Sequence, residues 1–419
     1  MSLQGPLVIV AEAPPGELAG TMSTAGAFPI VDATPANASG AIGAAKPGAI
    51  LLADEAACAD QNLGEWLSQN ITPLAPIVPV IACAAEDQDI AYREALPVSA
   101  GEKSEFVAAR LSAALRARTL HGSVLRRAAT APKDGDDPLP DVPRNDPLDD
   151  ATVIVAGRGR AYPALSVAIG EHAGVIGTLS IEAAARYLKA RDTDGLVFGD
   201  GFGPRNVEAF LIAVSEDTRY RDLPIGVLGD NITLPDVEYP NIVRAADPAR
   251  LAARILPYIR LHAFEERLRR ILQSFDKNGI IDPATGLLRA DVFVRELERA
   301  ISDARERTTG LSIARFAFDP DMGARAEMDA ARLVSRMVRN VDFGCRDDDG
   351  SILIAFTETD LRHAHVIARR IASVLKHTML VPGQKREATA PSVTLATRKS
   401  ADSVASLLAR VTAPPIAAE

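Results

Sequence analysis

Cysteine is scarce. Cys58, Cys83 and Cys345 are the only three in 419 residues, widely spaced and odd in number, so they suggest neither a disulfide framework nor a zinc site and fit a reducing compartment. No apolar run approaches the length of a membrane-spanning helix. A basic segment followed by an apolar core and cleavage site is missing at the N-terminus, which argues against secretion. Excess positive charge is missing too: the formal net charge is -9, unlike a general nucleic-acid binder. What remains is a chain with 47% apolar residues, enough for two or three globular cores, and a cytoplasmic location is expected.

Short apolar runs at Leu7–Val10, Ala49–Leu52 and Ile77–Ile81 read as buried strands with helix-like segments between them. Strands alternating with helices predict a parallel sheet. Gly101–Arg118 carries Phe106, Leu111 and Leu115 at helical spacing and is expected to close this first domain, residues 1–125. Ala131 to Asp150 follows with five prolines and seven aspartates, a composition that cannot build a core and predicts a linker over 126–150. The plan then repeats over 151–275, with strands expected at Thr152–Val155, Gly195–Phe198, Pro224–Leu228 and Asn241–Val243.

In both repeats an apolar strand ends in a small residue and then an aspartate, Asp54 and Asp200. This duplication resembles the receiver domains of response regulators, which have a flavodoxin-like doubly wound sheet with an aspartate at a strand's carboxyl end. Phosphorylation would also need an acidic pair for Mg²⁺, a hydroxyl and a lysine. Here Ala11 and Glu12, then Ala84, stand in the first repeat, with no obvious lysine; Ala156, Gly157 and Gly229 stand in the second. Asp54 and Asp200 are therefore read as vestigial phosphoacceptor positions, and the two domains as scaffolds.

Ala249–Phe275 is an amphipathic stretch with Leu251, Ile255, Ile259, Leu268, Ile271 and Leu272 at roughly 3–4 residue steps. It is expected to end the second domain and continue as a stalk. Its stripe fits core packing or a dimer seam.

Residues 276–419 open with Asp282-Pro-Ala-Thr-Gly-Leu287, then Phe293 and a helix expected over Val292–Arg305. A strand at Leu311–Phe318, a helix at Asp329–Asn340, a hairpin at Phe343–Phe356 and Thr357-Glu358-Thr359 before the next helix complete the pattern. This order resembles a GGDEF domain, with Arg289 and Ala290 in place of its customary Asn-Arg. The resemblance covers most of 276–412, and with two receivers upstream the architecture is similar to PleD-type response regulators, in character to their non-catalytic PopA-like members. The fold class implied is α/β: two flavodoxin-like receiver domains followed by an α/β, nucleotide-cyclase-like GGDEF domain.

GGDEF enzymes join two GTP molecules into cyclic di-GMP, which requires Mg²⁺, carboxylates and a phosphate cradle. The resemblance places Ala317 at the first-strand metal aspartate, leaving Asp319 nearby. It aligns the signature with Asp348-Asp349-Gly350-Ser351-Ile352, so Gly350 and Ser351 replace its two acids. Pro320–Arg325 also leads almost directly into the next helix, as if much of the substrate loop were deleted. Asp349-Gly350 reads instead as a hairpin turn. The expectation is a non-enzyme with no catalytic residues, no metal site and no cofactor; His363/His365 and Asp276-Lys-Asn-Gly lack the ligand sets a metal needs.

Arg339 and Asp342, at i, i+3, would point the same way from a helix or helix end. A guanidinium can bind phosphate or a guanine edge, and a carboxylate can accept from guanine N–H groups. The spacing alone is weak, since it recurs at Arg191/Asp194, Arg219/Asp222 and Arg346/Asp349, and an exposed ion pair is the plain alternative. The resemblance adds position: the family's product site is an Arg-x-x-Asp five residues before the signature, and Phe343 to Asp347 fill that gap. It also implies a second cation from the next helix, matched by Arg370, with Arg369 as an alternative. The implied ligand is cyclic di-GMP, in a form such as a stacked dimer, with Asp342 accepting from guanine.

The function expected is a cyclic di-GMP-binding effector or adaptor, homodimeric through its receivers. The resemblance further implies protein partners in cell-cycle-linked proteolysis, such as protease adaptors, and placement at a cell pole. Nucleic acid and membrane insertion are not expected. A diguanylate cyclase with an atypical site and a purely structural dimerisation scaffold are the alternatives.

Overall fold

A computed structural model of the protein describes residues 5–13, 16–27, 29–130, 147–220, 222–229, 241–275, 280–319, 322–378 and 390–412. Its first sheet is built from β1 (Leu7–Val10), β2 (Ile30–Ala33), β3 (Ala49–Leu52), β4 (Val80–Ala84) and β5 (Leu96–Ser99), all parallel, in the order β2-β1-β3-β4-β5. That is the flavodoxin-like 2-1-3-4-5 order. The central strands β1 and β3 are buried along their whole length, as sheets covered on both faces require, which is why they read as unbroken apolar runs. The strand expected at Ile77–Ile81 begins only at Val80, because Pro79 has no N–H to give to a ladder.

The second sheet repeats the topology with β6 (Thr152–Ala156), β7 (Gly174–Thr178), β8 (Gly195–Phe198), β9 (Ile225–Leu228) and β10 (Ile242–Ala245). All its strands are parallel, in the order β10-β9-β8-β6-β7. Its core gathers Ile154, Leu196, Phe198, Leu211 and Val227, with Phe210 edge-on to Phe198.

Among the described residues the chain divides into two compact units, one of 6–121 and 147–269, the other of 122–130 and 270–412. Both parallel sheets thus lie in the first unit. The helix expected to stop at Arg118 runs over Ser104–Thr130, so 126–130, assigned to the linker from composition, are helical. Most of that linker, 131–146, lies outside the described residues, and Pro147–Asp150 form a short 3-10 turn. The stalk is one helix, Pro248–Phe275. Leu251, Ile255, Ile259 and Leu268 are fully buried within the chain, so their stripe packs a core and does not form a free seam.

The second unit holds an antiparallel sheet of β11 (Leu311–Ala317), β12 (Phe343–Arg346), β13 (Ile352–Thr357) and β14 (Ser392–Thr397), ordered β12-β13-β11-β14. Helices Ala324–Met337 and Leu361–Thr378 cover one face, through Ala330, Val334, Ala368 and Ile371 against Phe316, Ile354 and Phe356. The helix Ala290–Glu306 packs on β12 and β11. The opening turn closes as its residues demand: Thr285 Oγ1 donates to Asp282 (2.8 Å), and Gly286 takes φ +75°. Among the described residues no helix is long and apolar enough to cross a membrane.

Candidate functional site

The helix expected over Asp329–Asn340 spans Ala324–Met337 instead. Arg339 and Asp342 therefore sit on a turn, closed by the Asp342 N–H donating to the Arg339 carbonyl at 2.9 Å. The turn brings the two side chains together as a fork. Arg339 Nε donates to Asp342 Oδ2 at 2.7 Å and Nη2 to Oδ1 at 3.1 Å, the bidentate geometry that is strongest for such a pair. Two threonines complete it: the Thr357 N–H donates to Asp342 Oδ1 (3.0 Å), and Arg339 Nη2 donates to Thr359 Oγ1 (3.2 Å).

The pair is asymmetric. The Asp342 side chain is 1% exposed and that of Arg339 49%. Burial pushes the Asp342 carboxyl above the usual carboxylate range, against the downward pull of Arg339 and the Thr357 N–H. The expected role of Asp342 as a direct acceptor from guanine is not available in this conformation, because its oxygens are turned inward and occupied. It orients Arg339, and Arg339 alone presents charge to the surface.

The other Arg-x-x-Asp matches do not close in this way. Asp194 is held by the Thr152 N–H and faces His262, Asp222 pairs with Arg116, and Asp349 pairs with Arg315. In a further match, Arg244/Asp247, the acid accepts from the Arg250 N–H.

A layer that the sequence reading missed lies beneath the turn. The Val341 carbonyl accepts from Arg126 Nη2 (3.2 Å) and Thr357 Oγ1 (3.0 Å), and the Arg126 guanidinium lies over the Phe343 ring. Arg126 and Arg127 both reach Glu296, which is fully buried, through their Nε atoms at 3.4 and 3.1 Å. A signal for this was present. Glu296 shares the helical stripe of Val292, Phe293, Leu297 and Ala300, and an acid at a core position demands partner cations.

Arg370 is exposed on the helix Leu361–Thr378. It lies nine residues past that helix's start, about 14 Å along the axis at 1.5 Å per residue, and no contact joins it to Arg339 or Asp342. Arg369 is exposed as well.

At the far end of β12 the chain turns through Asp347–Ser351. The Gly350 N–H donates to the Asp347 carbonyl (3.0 Å), the Asp347 N–H to the Ser351 carbonyl (2.8 Å), and Gly350 takes φ +82°. This is a three-residue hairpin loop with a glycine bulge, a variant of the turn read from Asp349-Gly350. A Cβ on Gly350 would come within 2.6 Å of Glu327 Oε2. Asp349 accepts from Arg315 (2.5 Å) and Ser351, and Arg346 pairs with Glu327 at 2.6 Å. Partial burial pushes the Asp349 carboxyl up, but the bonds from Ser351 and Arg315 outweigh it and hold it below the usual range. Ala317 is the last residue of β11, and only Pro320–Gly323 separate Asp319 from the next helix. Among the described residues no three His, Cys, Asp or Glu side chains gather to hold a metal ion.

Asp54 and Asp200 lie just past β3 and β8. Asp54 caps the helix Glu55–Ala59 by accepting from the Ala57 N–H (2.8 Å) and also accepts from the Glu12 N–H (2.6 Å). Asp200 accepts from the Ala161 N–H at 3.1 Å. Both carboxylates are engaged by backbone as polar strand termini.

No family model matches the chain. No curated protein matches it either. Solved structures similar to part of it include the coiled coil and GGDEF domain of DgcB from Caulobacter crescentus, in complex with c-di-GMP. That match has 22% identity and a TM-score of 0.30, covering 35% of this chain and 83% of that one. Others are SiaD from Pseudomonas aeruginosa, a diguanylate cyclase in complex with its activator SiaC (16%, TM-score 0.31, 35% of this chain and 61% of that one), and the FimX GGDEF domain from the same organism (15%, 0.28, 32% and 88%). The chain spans less than two thirds of SiaD.

Proposed function

We propose that the chain is a non-catalytic effector that binds cyclic di-GMP at the Arg339 turn. The observation that carries this reading is the self-closing Arg339/Asp342 fork, placed five residues before the hairpin tip, with half of the arginine side chain exposed. In this reading Asp342 and Thr359 engage Nε and Nη2 and fix the guanidinium plane, and Arg339 donates to a guanine edge or a phosphate through Nη1. Arg370, exposed on the helix Leu361–Thr378, is the second cation in this reading.

Catalysis is not part of the reading. The turn where paired carboxylates would meet Mg²⁺ carries Gly350 and Ser351, and Asp349 beside them is already neutralised by Arg315. The two receiver-like folds, whose aspartates are engaged by backbone, serve as surfaces for self-association or for protein partners in response-regulator signalling, in the manner of PopA-like proteins of cell-cycle-linked proteolysis.

Isothermal titration calorimetry with cyclic di-GMP tests the assignment. Loss of one charge-assisted pair costs roughly 1.5–3 kcal/mol, so Arg339→Ala is expected to weaken binding about 10–100-fold. Identical curves for the folded variant and the parent exclude the site. Incubation with GTP and Mg²⁺ tests the second half, and sustained cyclic di-GMP formation would identify a cyclase instead.

A further inference from the structure

The first unit contains a cleft of about 640 Å³ that the cyclic di-GMP reading does not use. One wall is the segment leading into β5, residues 86–97. The other is the first half of the helix Pro248–Phe275, so both receiver-like folds contribute. Four arginines line it, Arg93, Arg250, Arg254 and Arg260, against two acids, Glu86 and Asp89.

Arg254 is the unusual member. It is 7% exposed, yet its one hydrogen bond runs from Nη1 to the Ala85 carbonyl at 3.1 Å, and no acidic side chain pairs with it among the described residues. A guanidinium keeps its charge and offers five donors, and a buried charge without a counter-ion is costly. Burial lowers its pKa from the ordinary arginine value, with Glu86 opposing. Arg250, one turn earlier on the same helix, donates to the Glu86 carbonyl at 3.4 Å and is exposed toward solvent. Arg260 differs, since Glu94 already holds it at 3.1 Å.

We propose that this cleft binds a small organic molecule bearing a phosphate group, with the phosphate on Arg254 and Arg250. Two guanidiniums four residues apart approach from one side, and a phosphate offers acceptor oxygens in several directions where a carboxylate satisfies a single fork. The cleft is larger than an inorganic phosphate needs and lies within the range of ligand pockets, about 300–1,000 Å³. Ile90, Leu148 and Leu256 form an apolar wall for the organic portion.

The test uses the full chain carrying Arg339→Ala, so that the site on the second unit is silent and failure of one assignment leaves the other standing. Adenosine 5′-monophosphate, glucose 6-phosphate, inorganic phosphate and citrate are titrated calorimetrically. At least one phosphate ester is expected to bind, more tightly than inorganic phosphate, and Arg254→Gln is expected to weaken it about 10-fold or more. Arg250→Ala alters an exposed side chain, keeps the fold by circular dichroism, and is expected to weaken binding by about half that factor on a logarithmic scale. Silence from both esters overturns the proposal, as does an affinity unchanged from the parent in both variants. Binding of citrate with the esters silent overturns the phosphate assignment.

Discussion

The two turns that flank the strand Phe343–Arg346 treat their aspartates in opposite ways. At the entry, Asp342 is buried, forked to Arg339 and backed by Thr357, with Arg126 on the neighbouring carbonyl. At the exit, Asp347, Asp348 and Asp349 ride a glycine-bulged loop, and the Arg315–Asp349 pair leaves the acid half exposed. One turn invests buried polar contacts in holding a single arginine plane. The other is an ordinary loop whose charges lie in high dielectric.

Glu296→Ala is expected to break the comparison most severely. It leaves Arg126, buried beside the entry turn, without its acid, at a cost of about 3–5 kcal/mol, and chemical denaturation of the full chain measures it. A loss below about 1 kcal/mol, as for a surface pair, would mean that nothing special supports that turn. Asp342→Ala comes next. The Thr357 N–H loses its acceptor, costing about 1–3 kcal/mol, and cyclic di-GMP affinity falls with it as Arg339 loses its orientation. Full affinity in a destabilised variant would separate the fork from binding. Asp349→Ala at the exit turn should cost only about 0–1 kcal/mol and leave affinity unchanged.

Carboxyl chemical shifts followed by nuclear magnetic resonance sharpen the contrast further. Asp342 is expected to titrate above an ordinary aspartate and Asp349 below it. The linked stabilities run in opposite directions. The contribution of Asp342 is fully present below the unfolded value of about 3.9 and is lost as pH rises through its raised native pKa. That of Asp349 is present above about 3.9 and is lost as pH falls through its lowered one. The reverse order of midpoints would mean that the entry turn opens to water in solution.

Much of this was open to reading in the sequence. Strands covered on both faces announce themselves as apolar tetrads, as at Leu7–Val10 and Ala49–Leu52. Ile30–Ala33, Leu96–Ser99 and Gly174–Thr178 do not, because each lies at a sheet edge and carries Asp32, Pro97 or two glycines where the ladder is incomplete. The same holds at the site. Arg339 and Asp342 are picked out by spacing together with the family resemblance, but how the two side chains pair depends on Thr357 and Thr359, fifteen and more residues away, and on Arg126 and Glu296, separated by 170. Contacts of that range leave no local pattern apart from an acid in an apolar helical stripe.

The closing turns of the helix Ser104–Thr130 carry a practical lesson about dissecting this chain. A fragment cut at the conventional border, near residue 276, would carry Glu296 into solution without either guanidinium that neutralises it, and Val341 without its donor from Arg126. The second compact unit is therefore not a contiguous stretch of sequence. Its smallest faithful version is a spliced one, in which a short peptide from around residues 122–130 is supplied with 270–412, and the full chain is the proper subject of any binding measurement.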